Sequence, residues 1–148
     1  MATTGCFAVI EHNDSILLVK RRDVPLWDLP GGRANDGEAM PHCTQREAFE
    51  ETGYHISILH QVGRYHRRKY DDTQYVFLAK VHGGNAIIEG DETKALRWFS
   101  KHHLPMNMIP NRRRQIKDTL QHKENIHCEL NDMHILLILQ RLIKRRSM

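Results

Sequence analysis

Apolar residues fall in short runs along the first third of the chain. Residues 6–10 and 15–20 are rich in Val, Ile and Leu and flank the polar stretch Glu11-His12-Asn13-Asp14, the pattern of two strands joined as a hairpin. A short apolar element, Trp27-Asp28-Leu29, stops at Pro30-Gly31-Gly32, where a sharp change of direction is expected. The period then changes. From residue 38 to 52 the apolar or small residues Ala39, Met40, Cys43, Ala48 and Phe49 recur at near-helical spacing. Pro41 falls in a first turn, where its missing N–H has no intrahelical partner, and Gly53 supplies a left-handed stop. A helix of about four turns is predicted between them.

Beyond it, residues 55–63, 74–81 and 95–100 read as strands separated by polar or glycine turns such as Asp71-Asp72 and Gly83-Gly84. Two further helices are predicted at 111–121 and 131–145. Strands that flank one well-marked helix and precede others argue an α/β (α+β) fold, a mixed sheet with helices packed on it. With 148 residues, 40% of them hydrophobic, the chain is expected to be a single domain, 1–148, ending in a helical segment at about 111–146.

Composition narrows the class. Charged residues make up 27% of the chain and mean hydropathy is −0.59. The longest apolar run, Ile135-Leu136-Leu137-Ile138-Leu139, is five residues, far short of the ~20 that span a bilayer. No membrane partner is expected, and the absence of a basic leader followed by an apolar stretch points to the cytoplasm. Cys6, Cys43 and Cys128 are an odd count without CxxC spacing, which suits a reducing compartment rather than a disulfide framework or a zinc knuckle. The 11 histidines match no zinc spacing. A net charge of +4 makes an anionic partner plausible without identifying it.

The predicted helix at 38–52 places Glu47, Glu50 and Glu51 at i, i+3 and i+4, so three carboxylates share one face. On a solvated face their repulsion would cost a few tenths of a kcal/mol per pair. In a cleft it would rise to roughly 3 kcal/mol per pair and demand compensation by cations or protonation. Hard oxygen donors beside a glycine loop suit Mg²⁺ or Mn²⁺ rather than zinc.

Gly32, Glu38, Arg46, Glu47, Glu50, Glu51 and Gly53 stand at the seven identity positions of the signature Gly-x5-Glu-x7-Arg-Glu-U-x-Glu-Glu-x-Gly-U, where U is a bulky apolar residue. The stretch resembles the Nudix hydrolase signature, and the preceding Leu29-Pro30-Gly31 resembles that family's usual lead-in. Departures fall at the two U positions, where Ala48 is small and Tyr54 aromatic; both are packing positions. A looser resemblance continues through Arg97-Trp98-Phe99 and Leu104-Pro105. It implies a Nudix-type α/β/α sandwich and a pyrophosphohydrolase that splits a nucleoside diphosphate linked to another moiety with the help of Mg²⁺ or Mn²⁺.

By the same resemblance, Glu50 and Glu51 are direct metal ligands, joined by a carbonyl of the Gly31-Gly32 turn. Glu47 is a ligand through water or the general base. Arg46 pairs with carboxylates and fixes their rotamers, and Glu38 supports the helix start through the macrodipole or as a cap. A further metal carboxylate is expected at Glu92, counted back from Trp98, with Asp91 adjacent. The runs His66-Arg67-Arg68-Lys69 and Arg112-Arg113-Arg114 are either solvated faces or holders of substrate phosphates. Arg67, Arg68 and Tyr70 are the candidates singled out for substrate.

The partner expected is a nucleotide-type small molecule. Lys69-Tyr70 stands where ADP-ribose hydrolases of the family carry a proline, and Tyr70 resembles the tyrosine of dinucleoside polyphosphate hydrolases. Removal of a 5′ diphosphate from RNA is kept as an alternative, helped by the basic surplus. A reading of another class is a catalytically silent nucleotide-binding regulatory module; such a module should show damaged carboxylates, and none is damaged. The apolar face of the last helix, with Leu136, Leu139 and Ile143, is expected either to complete the core or to pair two copies as a homodimer.

Overall fold

The computed structural model describes residues 1–87 and 93–130. Strands β1 (Thr3–His12) and β2 (Ser15–Arg21) form the expected hairpin. Its two-residue turn, Asn13-Asp14, has φ of 48° and 61°, the left-handed pair that matches the twist of a tight hairpin and that Asn and Asp tolerate. Two very short strands follow, β3 (Trp27–Asp28) and β4 (Gly31–Arg33), then helix α1 (Met40–Thr52). Gly53, at φ 78°, ends the helix as its pattern predicts, with its N–H bonded to Phe49 O. Strands β5 (Tyr54–Arg67), β6 (Asp72–Gly84) and β7 (Thr93–Ser100), helix α2 (Arg112–Leu120) and strand β8 (Ile126–Glu129) complete the described chain. The helix expected at 131–145 lies outside the described residues.

β1 is the joint of the sheet. It meets β2 only through Glu11↔Ile16 and His12↔Ser15. Towards its start it pairs with β4 on one edge and runs parallel to β6 on the other. β2 meanwhile pairs with β3 and β7. The two halves diverge from the hairpin, and the wedge between them is the cleft described below.

The period-2 pattern of β1 and β2 explains the layers. Ala8, Ile10 and Leu17 turn to one face and pack with Ala48 of α1, Ile56 and Ala79. Val9, Ile16 and Leu18 turn to the other and pack with Val62, Tyr65, Val76 and Ile116 of α2. Each fully buried Leu or Ile contributes roughly 1.5–3 kcal/mol. The result is the α/β/α sandwich that the resemblance implied. Ala48 is fully buried against the sheet, which accounts for the small residue at a position where the signature carries a bulky one.

Three details depart from expectation. Cys6 on β1 and Cys43 on α1, 6.3 Å apart at Cα, form a disulfide, whereas the cysteine count argued against one. Their separation of 37 residues conceals that α1 lies directly over β1; Cys128 stays free. Glu38 precedes the helix instead of opening it, and Ala39 is the N-cap without a side-chain cap. β8, too short and polar to show a period, was not expected; it exists because residues 126–129 find the edge of β5, from Gly63↔Ile126 to His66↔Glu129.

Candidate active site

Helix α1 presents Glu47 and Glu51 towards the Gly31-Gly32 turn of β4, with Glu50 beside them on Arg46. Close approach to backbone requires a glycine at Gly31, and at Gly32 a side chain would displace the Glu47 carboxylate. A Cβ on Gly31 would overlap Cys6 O and lie 2.8 Å from Phe7 Cα, and one on Gly32 would lie 2.5 Å from Glu47 Cδ. The turn is thus pressed against β1 on one side and the Glu47 carboxylate on the other. Gly31 N–H donates to Glu51 Oε2 at 3.3 Å, which ties the turn to the helix.

Arg46 organises the carboxylates. Its Nε and Nη2 donate to the two oxygens of Glu38 at 2.7 and 2.9 Å, a bidentate pair. Nη1 donates to Glu47 Oε1 at 3.0 Å and to both oxygens of Glu50 at 3.2 Å, and Nη2 also reaches Arg33 O at 3.2 Å. One guanidinium therefore spans three carboxylates and strand β4. These bonds, with a further N–H from Asn35, hold the Glu38 carboxyl down from 4.5 to about 2. The Arg46 guanidinium is in turn held more firmly protonated, chiefly by Glu38. Glu38 does not cap the helix; it anchors Arg46 from the loop.

The sign of the Glu38 shift sets a pH window. A carboxyl lowered on folding stabilises the native state fully above its usual value of 4.5 and loses that contribution as pH falls towards 2. The melting temperatures of the wild type and Arg46→Met should therefore differ most above about pH 5. The gap should close as pH falls through that window. A gap independent of pH would contradict the pairing.

The Gly32 contact gives a second expectation. Gly32→Ala forces the Glu47 carboxylate aside, and a misplacement of about 1 Å in such a site costs on the order of a hundredfold in rate. Steady-state kcat should fall accordingly, with the secondary structure intact by circular dichroism. Unchanged kcat would show that Glu47 need not occupy its observed position.

From this turn a cleft of about 680 Å³ opens between the diverging halves of the sheet. Glu51, Gly31, Gly32 and Arg33 line one part of it, Gln74, Asp72 and Arg67 another, and Asp28, Asn111 and Arg112 the wall formed by β3 and the start of α2. Arg112 is 3% exposed, an unusual place for a guanidinium. It is satisfied by Asp28 Oδ1 at 2.6 Å, Gln74 Oε1 at 2.9 Å and Gln115 Oε1 at 3.0 Å, and it stacks 3.7 Å from the centre of the Phe7 ring. Asp28 also accepts from Leu29 N–H at 2.8 Å, immediately before Pro30 and the Gly31-Gly32 turn.

The sequence candidates are thus distributed. Glu47, Glu50, Glu51, Arg46, Glu38, Gly31 and Gly32 come together around one turn. Arg67 lines the cleft and pairs with Asp72 at 3.6 Å. Arg68 and Tyr70 belong to an exposed 3-10 turn, Arg68–Tyr70, and do not line the cleft; Tyr70 stacks under Arg67 at 4.6 Å. Glu92 lies outside the described residues. Asp28, Gln74 and Gln115 escaped the sequence reading, and Arg112 was read only as part of a charge run. A signal existed: Arg112, Gln115, Ile116 and Thr119 stand at i, i+3, i+4 and i+7, one helical stripe, and all four are buried.

The donor set suits a hard divalent ion. Glu50 and Glu51 carboxylates and the turn carbonyls offer only oxygen, as Mg²⁺ or Mn²⁺ prefers. Arg46 spreads the carboxylates along the face: among the described residues no three acidic, histidine or cysteine side chains gather closely enough to cage an ion. The Glu50 side chain is 54% exposed. Such a face fits an ion held jointly by one or two carboxylates, water and substrate phosphates, the usual habit of Mg²⁺.

Comparison with known proteins agrees with the geometry. The NUDIX domain model matches residues 1–120. A protein of Bacillus subtilis (strain 168) that carries the provisional name 8-oxo-dGTP diphosphatase is 42% identical over 147 residues, covering 99% of this chain and 98% of that one. A MutT NUDIX hydrolase from Burkholderia pseudomallei superposes with a TM-score of 0.71 at 27% identity, over 80% of this chain and 98% of the other. An ADP-ribose pyrophosphatase from Streptococcus suis shares the fold, with a TM-score of 0.75 at 24% identity over 88% and 100% of the two chains. The chain belongs to the Nudix family and is a hydrolase of phosphorus-containing anhydrides.

Proposed function

We propose that the protein is a divalent-metal-dependent nucleotide pyrophosphohydrolase that splits a nucleoside diphosphate linked to another moiety, with nucleoside triphosphates as its first candidates. The observation that carries this reading is the carboxylate face of α1 pressed on the Gly31-Gly32 turn at one end of a nucleotide-sized cleft. The full-length likeness to the Bacillus subtilis protein, whose name specifies a deoxynucleoside triphosphate, supports the triphosphate.

Water must attack phosphorus although both approach with negative charge, so neutralisation and positioning come first. Bound Mg²⁺ or Mn²⁺ supplies that neutralisation and lowers the pKa of a coordinated water. Glu50 and Glu51 would hold the ion with a carbonyl of the Gly31-Gly32 turn. Glu47, one turn back along α1, is placed to accept the proton of the attacking water or to bind the ion through water. Arg46 keeps Glu47 and Glu50 in register, and its bidentate pairing with Glu38 holds the guanidinium in place. Arg33 and Arg67, which line the cleft, would meet the distal phosphates. The products are a nucleoside monophosphate and pyrophosphate.

The chain acts in this reading as one domain in the cytoplasm. The test is a panel of nucleoside triphosphates, dinucleoside polyphosphates, ADP-ribose and 5′-triphosphorylated RNA, each with and without Mg²⁺ or Mn²⁺, followed by release of phosphate with a coupling phosphatase. Metal-dependent turnover of a triphosphate supports the reading. Absence of metal-dependent turnover on every anhydride would overturn it.

A further inference from the structure

The end of the cleft opposite the catalytic turn carries a fixed hydrogen-bonding pattern. Gly5 of β1 pairs with Arg33 on one side and Gln74 on the other, so Gln74 lies two strand spacings, about 10 Å, from the catalytic strand. Gly5 contributes no side chain to the floor between them. A Cβ there would meet the Phe7 ring at 2.9 Å.

Gln74 is 7% exposed, and its orientation is settled by chemistry. Arg112 can only donate, so the Gln74 atom 2.9 Å from Arg112 Nη1 is the carbonyl oxygen. Gln115, fully buried, accepts from the same guanidinium through its own oxygen at 3.0 Å, and its amide nitrogen then donates to Gln74 Oε1 at 3.0 Å. Asp28 anchors the guanidinium from behind. Two donors saturate the Gln74 oxygen, and its NH₂ group must face the other way, towards Asp72 Oδ2 at 3.3 Å. Asp72 takes Thr3 Oγ1 on its other oxygen at 2.6 Å, which fixes the carboxylate. Both Gln74 and Asp72 line the cleft. Arg67 Nη1 stands 3.6 Å from Asp72 Oδ2. The cleft wall therefore presents a locked N–H donor beside a carboxylate acceptor, with one Gln74 N–H and a lone pair of Asp72 Oδ1 left for a ligand.

We propose that Gln74 and Asp72 read the base of the nucleotide. They select bases whose edge offers a carbonyl oxygen next to a ring N–H (guanine, hypoxanthine, uracil, thymine) over bases that offer an amino group next to a bare ring nitrogen (adenine, cytosine). The carbonyl accepts from Gln74 and the ring N–H donates to Asp72. An amino base held in the same orientation meets donor with donor and acceptor with acceptor, and leaves the outward N–H of the buried Gln74 unpaired. Arg112 and Gln115 are positioning residues: they touch no substrate but deny Gln74 the flipped orientation that would serve an amino base. The inference rests on the nucleotide reading above but not on the reaction.

The test measures binding, so that it survives a failure of the hydrolytic reading. Dissociation constants are determined by calorimetry for non-hydrolysable triphosphate analogues of dGTP, dITP, dUTP, dATP and dCTP. A bidentate base contact discriminates by roughly tenfold to a hundredfold, and the three keto analogues should bind more tightly than the two amino analogues by that factor. Asp72→Asn, which keeps the shape, should abolish most of the preference. Gln115→Met, which removes one lock on the amide, should reduce it while the charge of the cleft stays the same. Melting temperature is followed for both. Equal affinity for keto and amino analogues in the wild type, or an unaltered ratio in folded Asp72→Asn, overturns the proposal. Selective binding without turnover of any triphosphate would refute the proposed reaction and leave the base reading standing.

Discussion

Glu50→Gln should lower kcat by about 10²–10³-fold, the usual cost of losing one group that stabilises charge developing at the reaction centre, while the protein melts within about 2 °C of the wild type. The two halves of this expectation come from different observations. The carboxylate lies beside Glu51 on α1 and is held by Arg46, whose guanidinium also reaches Glu47 and Arg33 O of the strand that carries the Gly31-Gly32 turn. In the proposed reaction, removing its charge while keeping its shape would remove a donor for a hard divalent ion. Its contribution to stability is small because the side chain is 54% exposed and its bonds to Arg46 Nη1, at 3.2 Å, form a solvent-screened i, i+4 pair. Pairs of that kind are worth about 0–1 kcal/mol. Stopped assays at saturating nucleotide and metal, with a thermal melt of the same sample, measure both. Retained activity would show that Glu50 is not a ligand, and a large loss of stability would show that its role is structural.

Arg112→Leu should produce the opposite profile, a loss of stability of roughly 3–5 kcal/mol and a fall in melting temperature on the order of 10 °C. The Asp28 carboxylate is buried, and the 2.6 Å bond from Arg112 Nε is its closest charged partner; Arg21 Nη1 stands 3.5 Å away. Leucine would leave a buried charge undercompensated, the Gln74 and Gln115 oxygens short of a donor, and Phe7 without the cation over its ring. The neighbour supplies the control. Arg113 is exposed, and Arg113→Leu should shift the melting temperature by no more than about 2 °C. Adding Asp28→Asn to Arg112→Leu should recover part of the loss, because the uncompensated charge goes with it. Equal effects at Arg112 and Arg113 would contradict the buried network.

The difference between these two arginines shows where sequence reading stops. In the run Arg112-Arg113-Arg114 the residues are chemically identical, and only the helical stripe shared with Gln115, Ile116 and Thr119 separates the first from the others. Arg67 and Arg68 repeat the lesson. Adjacent residues at the end of β5 diverge, and one lines the cleft while the other lies on an exposed turn. Asp28 sits in plain view beside Leu29-Pro30-Gly31-Gly32, yet nothing local distinguishes it from a solvated turn carboxylate. Its partner is 84 residues away.

The chain alone determined what depends on near neighbours. Alternation in residues 6–10 and 15–20 dictates which side chains face the core. The glycine at 53 ends a helix because no other residue adopts its φ so cheaply. Spacing of i, i+3 and i+4 puts three carboxylates on one face, and the signature around them identifies the family. The tertiary structure decided what depends on contacts between distant segments. It set the divergence of β1 from β2 that opens the cleft, the bridge from Cys6 to Cys43, the pairing of β8 with β5, and the chain from Asp28 through Arg112 and Gln115 that fixes the Gln74 amide. The physical reason is range. Helix phase, turn conformation and strand alternation are local free-energy differences written in a few successive residues. A buried charge is stabilised by groups that only the assembled sheet and α2 bring within 3 Å, and no spacing along the chain records that distance.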